Sequence, residues 1–347
     1  MGDDVNIPTH APTTSVDRRA RLLAAKLTAV VAGHTGDAPT RPGTYPPGAA
    51  LREAERAWVL LEETVDDGTG LGPAIAWALR GGSVALNVVA DAPLTVVARR
   101  AAEFTMPIQV WALSGRELQP VPAGAIAAPP SASEAHLALA ADIEAAGADV
   151  VVEHGVVTGE VRGLEVCRVV DVDGGGVRLE VGVGRHDREA FAIIHGDVPK
   201  GAALAGVVAA VVAARSARAP GHPLNRLAPE RLLRWRIEQE PKLVAMESVR
   251  SAEPPVPRRS LNHRSPCVAI GRRVDGTRVV IVCSVGVDLD VIPYAADARL
   301  AAGVGAGGVV ATSETLVVVP ERDLLPVTGE LAGRMRHSVS LAAVSAG

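Results

Sequence analysis

The chain has 347 residues, of which 48% are hydrophobic and 21% are charged, and its formal net charge is −4. This length predicts two or three domains, and this composition excludes a wholly disordered chain, a collagen-like rod and a coiled coil. The negative charge disfavours nucleic acid or an anionic membrane as a partner, because both are bound through accumulated positive charge.

The content of aromatic residues and cysteines narrows the function classes further. Only four Trp, two Tyr and two Phe occur, so the stacking surfaces that bind single-stranded nucleic acid are scarce. Cys167, Cys267 and Cys283 form no CxxC pair, which argues against a disulfide framework or a cysteine zinc site and favours the cytoplasm. No signal peptide is predicted, and the longest apolar run, residues 202–214, is too short to cross a membrane. The excess of arginine over lysine is typical of a GC-rich bacterial composition.

The first predicted module, residues 17–118, follows a flexible tail at 1–16. Its first helix is predicted to end at Gly33. The predicted helices are 17–32, 72–79 and 94–104, and the predicted strands are 58–61, 84–89 and 108–113. Helix-length segments between apolar strands are typical of parallel pairing. A linker rich in Pro and Ala is predicted at 119–132.

The middle module, residues 133–250, is predicted to be of mixed α/β type. Asp173 and the three glycines after it predict an antiparallel hairpin between two of its strands. The predicted helices are 133–146, 187–195, 202–215 and 230–240, and the predicted strands are 149–152, 164–170 and 177–183.

A Pro-rich linker at 251–265 precedes the C-terminal module, residues 266–347. Asp275 and Gly276 predict a hairpin between its first two strands. The predicted strands are 267–271, 279–285 and 316–320, and the predicted helices are 292–302 and a terminal one from about 328. The first and third modules share an order of strand, helix and strand, which leaves an internal duplication open. The fold class predicted is α/β, with two or three Ala/Val-rich modules whose mixed, partly parallel sheets are flanked by helices.

A run of charged and titratable residues, 185–189, follows one predicted strand and precedes a helix. Ligands of α/β sheets bind beyond the carboxyl ends of strands, and the start of a helix adds unpaired amide donors. The candidate residues for binding an anion there are Arg185, His186, Arg188, Glu180 and Glu153. The alternative is that Asp187 caps an ordinary solvated helix.

Asp288 and Asp290 follow a buried strand, and Asp297 lies one helical turn or so beyond. Two carboxylates at this spacing can bind Mg²⁺, which prefers oxygen ligands, and can serve a phosphoester hydrolase. The simpler alternative is that Asp290 caps the helix that follows it.

The stretch from Arg226 to Arg236 predicts an amphipathic helix that carries Arg231 and Arg234 on one face. Together with Arg226, this face could contact the phosphates of a nucleic acid. The alternative is ordinary pairing of these arginines with neighbouring glutamates.

The sequence therefore favours a soluble, cytoplasmic protein that binds a small anionic ligand in a non-catalytic or regulatory role. The alternative is a phosphoester hydrolase with Mg²⁺ as its cofactor, and the second alternative is a nucleic-acid-associated protein. No catalytic residue is assigned, so the choice between an enzyme and a binding protein stays open at this point.

Overall fold

The structure is a computed structural model. It describes residues 15–36, 41–43, 45, 48–62, 66–194, 200–216, 221–258, 265–304 and 314–345. The chain divides into two compact units, unit 1 (residues 1–123) and unit 2 (residues 124–347). Residues 1–14 of the predicted tail and 259–264 of the predicted Pro-rich linker lie outside the described residues. The boundaries of the three predicted modules stay predictions.

Unit 1 is built on a six-stranded sheet whose strands lie in chain order. Its helices and strands are α1 (Ser15–Thr35), β1 (Arg41–Gly43), β2 (Ala49–Glu53), β3 (Arg56–Leu60), α2 (Leu71–Arg80), β4 (Ala85–Ala90), α3 (Thr95–Ala101), β5 (Ile108–Ser114) and β6 (Glu117–Pro120). The predicted parallel pairing of β3, β4 and β5 is confirmed, and the other neighbours are antiparallel. The helices α2 and α3 supply the two return connections that parallel pairing requires.

The core of unit 1 lies on both faces of this sheet. Leu27 and Val31 of α1 pack against Trp58 and Leu60 on one face. The predicted end of α1 at Gly33 is wrong, because the helix continues to Thr35. Glycine inside a helix costs about 1 kcal/mol. The last turn is anchored by the ring of His34, which packs edge-on against Trp58 and Trp111 at centroid distances of 5.8 and 4.9 Å.

Unit 2 holds two further sheets. Its helices and strands are α4 (Glu134–Leu137), α5 (Ala140–Ala145), β7 (Asp149–Glu153), β8 (Val156–Val161), β9 (Leu164–Asp171), β10 (Val177–Val181), α6 (Gly184–Ile194), α7 (Lys200–Ala214), α8 (Pro229–Gln239), β11 (Ser248–Ala252), β12 (Cys267–Arg272), β13 (Arg278–Cys283), α9 (Val291–Val304), β14 (Glu314–Pro320), α10 (Pro326–Ala332) and β15 (Val339–Val344). The single helix predicted over 133–146 is wrong, since two short helices, α4 and α5, occupy this stretch.

The first sheet of unit 2 is antiparallel, in the order β10-β9-β8-β7, and the second has the order β11-β12-β13-β14-β15. Both predicted hairpins, β9 with β10 and β12 with β13, are confirmed. The sequence did not predict β8, β11 or β15. The fold class is α/β, as predicted, with two of the three sheets partly parallel. Within the described residues, no helix is both long enough and apolar enough to span a membrane.

The second sheet of unit 2 repeats the topology of unit 1. In both, the first three strands pair antiparallel and the next two join in parallel, β1 to β5 in one and β11 to β15 in the other. A helix precedes each set and packs on its first strands, α1 in one and α8 in the other. The helices α3 and α10 are each seven residues long and are followed by β5 and β15 at the same separation. This shared order favours an internal duplication, with the antiparallel sheet inserted between the copies.

The helix α8 has two different faces. Leu233 and Ile237 pack on β12 and β13, against Ala269 and Ile281. Arg231 and Arg234 instead pair with carboxylates on β7 and β8. The helix therefore lies between the two sheets of unit 2, and this position brings the charged residues of the antiparallel sheet together.

Candidate anion-binding site

A β-bulge decides which side chains of the antiparallel sheet face α8. Gly159 pairs with Cys167, but the next residue, Glu160, pairs with Glu165, so Val166 has no partner on β8. Side chains alternate between the faces of a strand, and an extra residue reverses that alternation. Glu165 therefore shares a face with Glu160 and Arg168 rather than with the buried thiol of Cys167.

Two arginines of α8 bind the carboxylates on this face. Arg231 pairs with both Glu153 and Glu160. Arg234 donates to Glu160 at 2.9 Å and lies 3.4 Å from Glu153. The side chains of Arg231, Arg234 and Glu160 are only 6%, 2% and 3% exposed. We call Arg231, Arg234, Glu153 and Glu160 the buried ionic cluster.

The charges of the cluster hold each other ionised. Burial raises the pKa of Glu160, but the positive charges of Arg231, Arg234 and Arg258 outweigh it, so its pKa lies below the ordinary value. Burial lowers the pKa of Arg231, and Glu160 and Glu153 more than restore it, so the net change is upward. Breaking such a buried pair from one side costs several kcal/mol because the remaining charge is stranded.

Glu165, on the same sheet face, is bound by two other arginines, one from β9 and one from α6. Arg168 forms a two-pronged contact with it, with both N···O distances 3.0 Å, and Arg188 donates to it at 2.8 Å. The turn between β8 and β9 fits closely on α8, because Gly163 has a φ of +75° and a Cβ there would overlap the backbone carbonyl of Arg231. Glycine at this position lets α8 approach the sheet.

One glutamate beside the cluster, Glu238, is buried with incomplete hydrogen bonding. Burial raises the pKa of Glu238 to about 7, although Arg234 opposes that rise. Its Oε1 lies 3.4 Å from Nε of Arg234, and neither atom has a hydrogen-bond partner among the described residues.

A cavity of about 300 Å³ opens beside the buried ionic cluster. Its walls come from the segment that precedes α4, from the end of β7, from β11 and the residues after it, from β12, from the start of β13 and from the end of α9. The lining residues are Ile126, Ala127, Pro129, Val151, Val152, Glu153, His154, Arg250, Ser251, Ala252, Glu253, Pro254, Pro255, Val268, Ile270, Arg278, Ala301 and Ala302. About half of the wall surface is polar, so the cavity combines apolar contacts with convergent polar groups, as small-molecule sites do.

The charged groups of the cavity favour an anion. Both acids are already bound, Glu153 to the arginines of α8 and Glu253 to the backbone N–H of His154. The side chains of Arg250 and Arg278, by contrast, form no hydrogen bond or ion pair with any described residue. Their guanidinium groups are therefore available, and arginine matches carboxylate and phosphate oxygens well.

The structure divides the five predicted anion-binding residues among three places. Arg185 and His186, with side chains 83% and 98% exposed, lie beside Glu189 in the first turn of α6. Arg188 is buried and contacts Glu165, and lies 3.7 Å from Glu180. Of the five, only Glu153 lines the cavity.

The predicted metal ligands lie around the start of α9. The backbone N–H of Asp290 donates to Oδ1 of Asp288 at 2.9 Å, and Asp290 immediately precedes the helix. Asp297 is fully buried within α9. In the described part of the chain, no group of three His, Cys, Asp or Glu side chains is arranged to hold a metal ion.

The predicted nucleic-acid residues are also separated. The amphipathic α8 does carry Arg231 and Arg234 on one face, but both side chains are buried against Glu153 and Glu160. Arg226 is exposed in a short 3₁₀ helix, Pro223–Arg226.

Sequence reasoning did not single out Arg250, Arg278 or His154 as a group. Arg250 lies in the middle of β11, Arg278 begins β13 and His154 follows β7, and no local motif connects them. Comparison of the chain with protein-family models, with curated proteins and with solved structures found no match.

Proposed function

We propose that the protein binds a small anionic ligand in the cavity lined by Arg250, Arg278 and His154. The observation that carries the proposal is the pair of arginines in the cavity wall, whose side chains have no carboxylate partner among the described residues. An arginine that faces a partly enclosed space without a counter-ion is stabilised when an anion enters.

The volume of the half-open cavity, about 300 Å³, suits a small molecule. The walls formed by Pro129, Pro254 and Pro255 are stiff, because proline fixes its own backbone angle φ. A preformed site of this kind loses little entropy on binding. Both acids among the described lining residues, Glu153 and Glu253, are already bound by other groups, so the proposal is for binding rather than catalysis.

The test is thermal unfolding with acetate, benzoate and inorganic phosphate, each added at low ionic strength so that screening is weak. We expect at least one anion to raise the Tm, because a ligand that binds only the folded state stabilises it. Arg250→Gln and Arg278→Gln should lose most of that gain. Arg185→Gln, which removes an exposed arginine of the α6 turn, should keep it.

No rise in Tm with any of the three anions would overturn the proposal. A rise that survives both cavity substitutions but disappears in Arg185→Gln would instead place the anion at the α6 turn.

A further inference from the structure

The strand register next to the cavity places two arginines opposite each other. Arg272, the last residue of β12, pairs with Arg278, the first residue of β13. Directly opposed residues of an antiparallel pair point to the same face, with Cβ atoms about 5 Å apart. Like charges in this arrangement repel each other unless a counter-ion lies between them.

The same face also carries Arg250. Arg250 pairs with Ile270 on β12, and Ile270 lies two residues from Arg272, so all three arginines point to one side of the sheet. The guanidinium group of Arg272 forms no hydrogen bond or ion pair with any described residue, which is also true of the guanidinium groups of the two cavity arginines.

On the opposite face of the sheet, an arginine is paired with a carboxylate. Arg273, one residue along, points to the other face and contacts Glu314 at 2.6 and 3.1 Å. On the face that bears the cavity, no described carboxylate takes this position beside Arg272 and Arg278. The positive charge without a described counter-ion thus lies on the face of the sheet that bears the cavity, where Arg250 and Arg278 line the cavity and Arg272 is the cross-strand neighbour of Arg278.

We infer that the ligand is a small organic phosphate, whose doubly charged phosphoryl group is bound by Arg272 and Arg278 together; this inference rests on the function proposed above. A phosphate carries about −1.5 to −2 charges and three acceptor oxygens, which match two guanidinium groups. A carboxylate carries one charge and two oxygens, which a single arginine satisfies. The organic part of the ligand lies against the apolar wall formed by Ile126, Pro129, Val268 and Ala301.

The test is isothermal titration calorimetry of the full chain with phenyl phosphate, inorganic phosphate, benzoate and acetate at low ionic strength. We expect phenyl phosphate to bind more tightly than benzoate by about tenfold or more, the effect of one further charged hydrogen bond. Arg272→Gln should weaken phenyl phosphate by about tenfold and change benzoate by less than about twofold. Arg273→Gln, an equal loss of charge on the opposite face, should leave both ligands within about twofold of wild type.

The outcomes separate the inference from the function on which it rests. If benzoate binds as tightly as phenyl phosphate, and Arg272→Gln changes neither, the phosphate inference is wrong while anion binding stands. If none of the four anions binds, both are wrong. If inorganic phosphate equals phenyl phosphate, free phosphate is the ligand and the organic part of the inference is overturned.

Discussion

Glu160 and Glu165 lie directly opposite each other in the pairing of β8 with β9, on the face that α8 covers. Two opposed carboxylates repel each other, and their burial adds a desolvation cost. The arrangement is stable because each glutamate is bound by its own arginines, Glu160 by those of α8 and Glu165 by Arg168 and Arg188.

We expect Glu160→Gln to destabilise the protein by about 3 to 5 kcal/mol, because it leaves Arg231 and Arg234 buried with one carboxylate fewer. The free energy of unfolding from urea titration measures this loss. The control is Glu189→Gln, which breaks an exposed pair with Arg185 and should cost less than about 1 kcal/mol. Equal losses in the two variants would contradict the importance assigned to the buried ionic cluster.

Gly163→Ala tests the close approach of α8 to the turn between β8 and β9. The substitution places a methyl group on the backbone of Arg231 and forces a non-glycine residue to a φ of +75°. We expect a loss of more than about 2 kcal/mol from strain and overpacking. Gly174 has a φ of +93° but open space around its Cβ position. Gly174→Ala should therefore cost less stability, and the difference between the two variants measures the part of the Gly163→Ala loss that comes from contact with α8. Similar losses would show that α8 does not limit this turn.

The stability of the protein should depend on pH through Glu238. Its pKa in the folded state is about 7, raised by burial from an ordinary value of 4.5. Between these two pKa values the folded state therefore holds a proton that the unfolded state has lost. The contribution of Glu238 to the free energy of unfolding is full below about pH 4.5 and is lost as the pH rises to about 7. We expect the free energy of unfolding to fall between pH 5 and 8, by on the order of 3 kcal/mol from this side chain.

Glu238→Gln removes this titration and should flatten that fall. Glu160 acts in the opposite direction, since its pKa is lowered and its contribution is lost as the pH drops through that lowered value. A wild-type stability that rises steadily from pH 5 to 8 would contradict the assignment to Glu238.

The opposed arginines make a prediction that needs no ligand. Arg272→Gln relieves a repulsion between cross-strand neighbours and should raise stability by about 0.2 to 1 kcal/mol at low salt. Arg273→Gln breaks the pair with Glu314 and should lower stability slightly. Thermal unfolding with and without about 1 M NaCl measures both changes, and salt should reduce each of them. Opposite signs are the expected result, and a destabilising Arg272→Gln would refute the repulsion.

The parallel strands β3, β4 and β5 and both hairpins were predicted because their signals are local. Apolar runs alternate with helix-length segments, and Asp-Gly turns separate paired strands. Strand β8 was missed because Thr158, Gly159 and Glu160 interrupt its apolar run. Those residues suit a buried strand only because of partners elsewhere: Arg231 lies 71 positions from Glu160, and Gly159 leaves room for the thiol of Cys167.

The candidate site shows the same limit. The cavity is assembled from separate segments, so no short motif marks Arg250 or His154. A two-residue turn at Asp275 and Gly276 would pair Arg278 with Arg273, whereas the structure pairs Arg278 with Arg272. The opposition of these two arginines therefore depends on a register that the turn signal alone did not give.

The position of α8 between two sheets has a consequence for cooperativity. In unit 1 the corresponding helix, α1, leaves its outer side chains, such as Arg18 and Arg21, exposed to water. Separation of the antiparallel sheet from α8 would instead leave Arg231 and Arg234 without counter-charges. Neither sheet of unit 2 can therefore unfold independently without a large cost in free energy. Unit 2 should therefore unfold in a single transition, although it contains two hydrophobic cores.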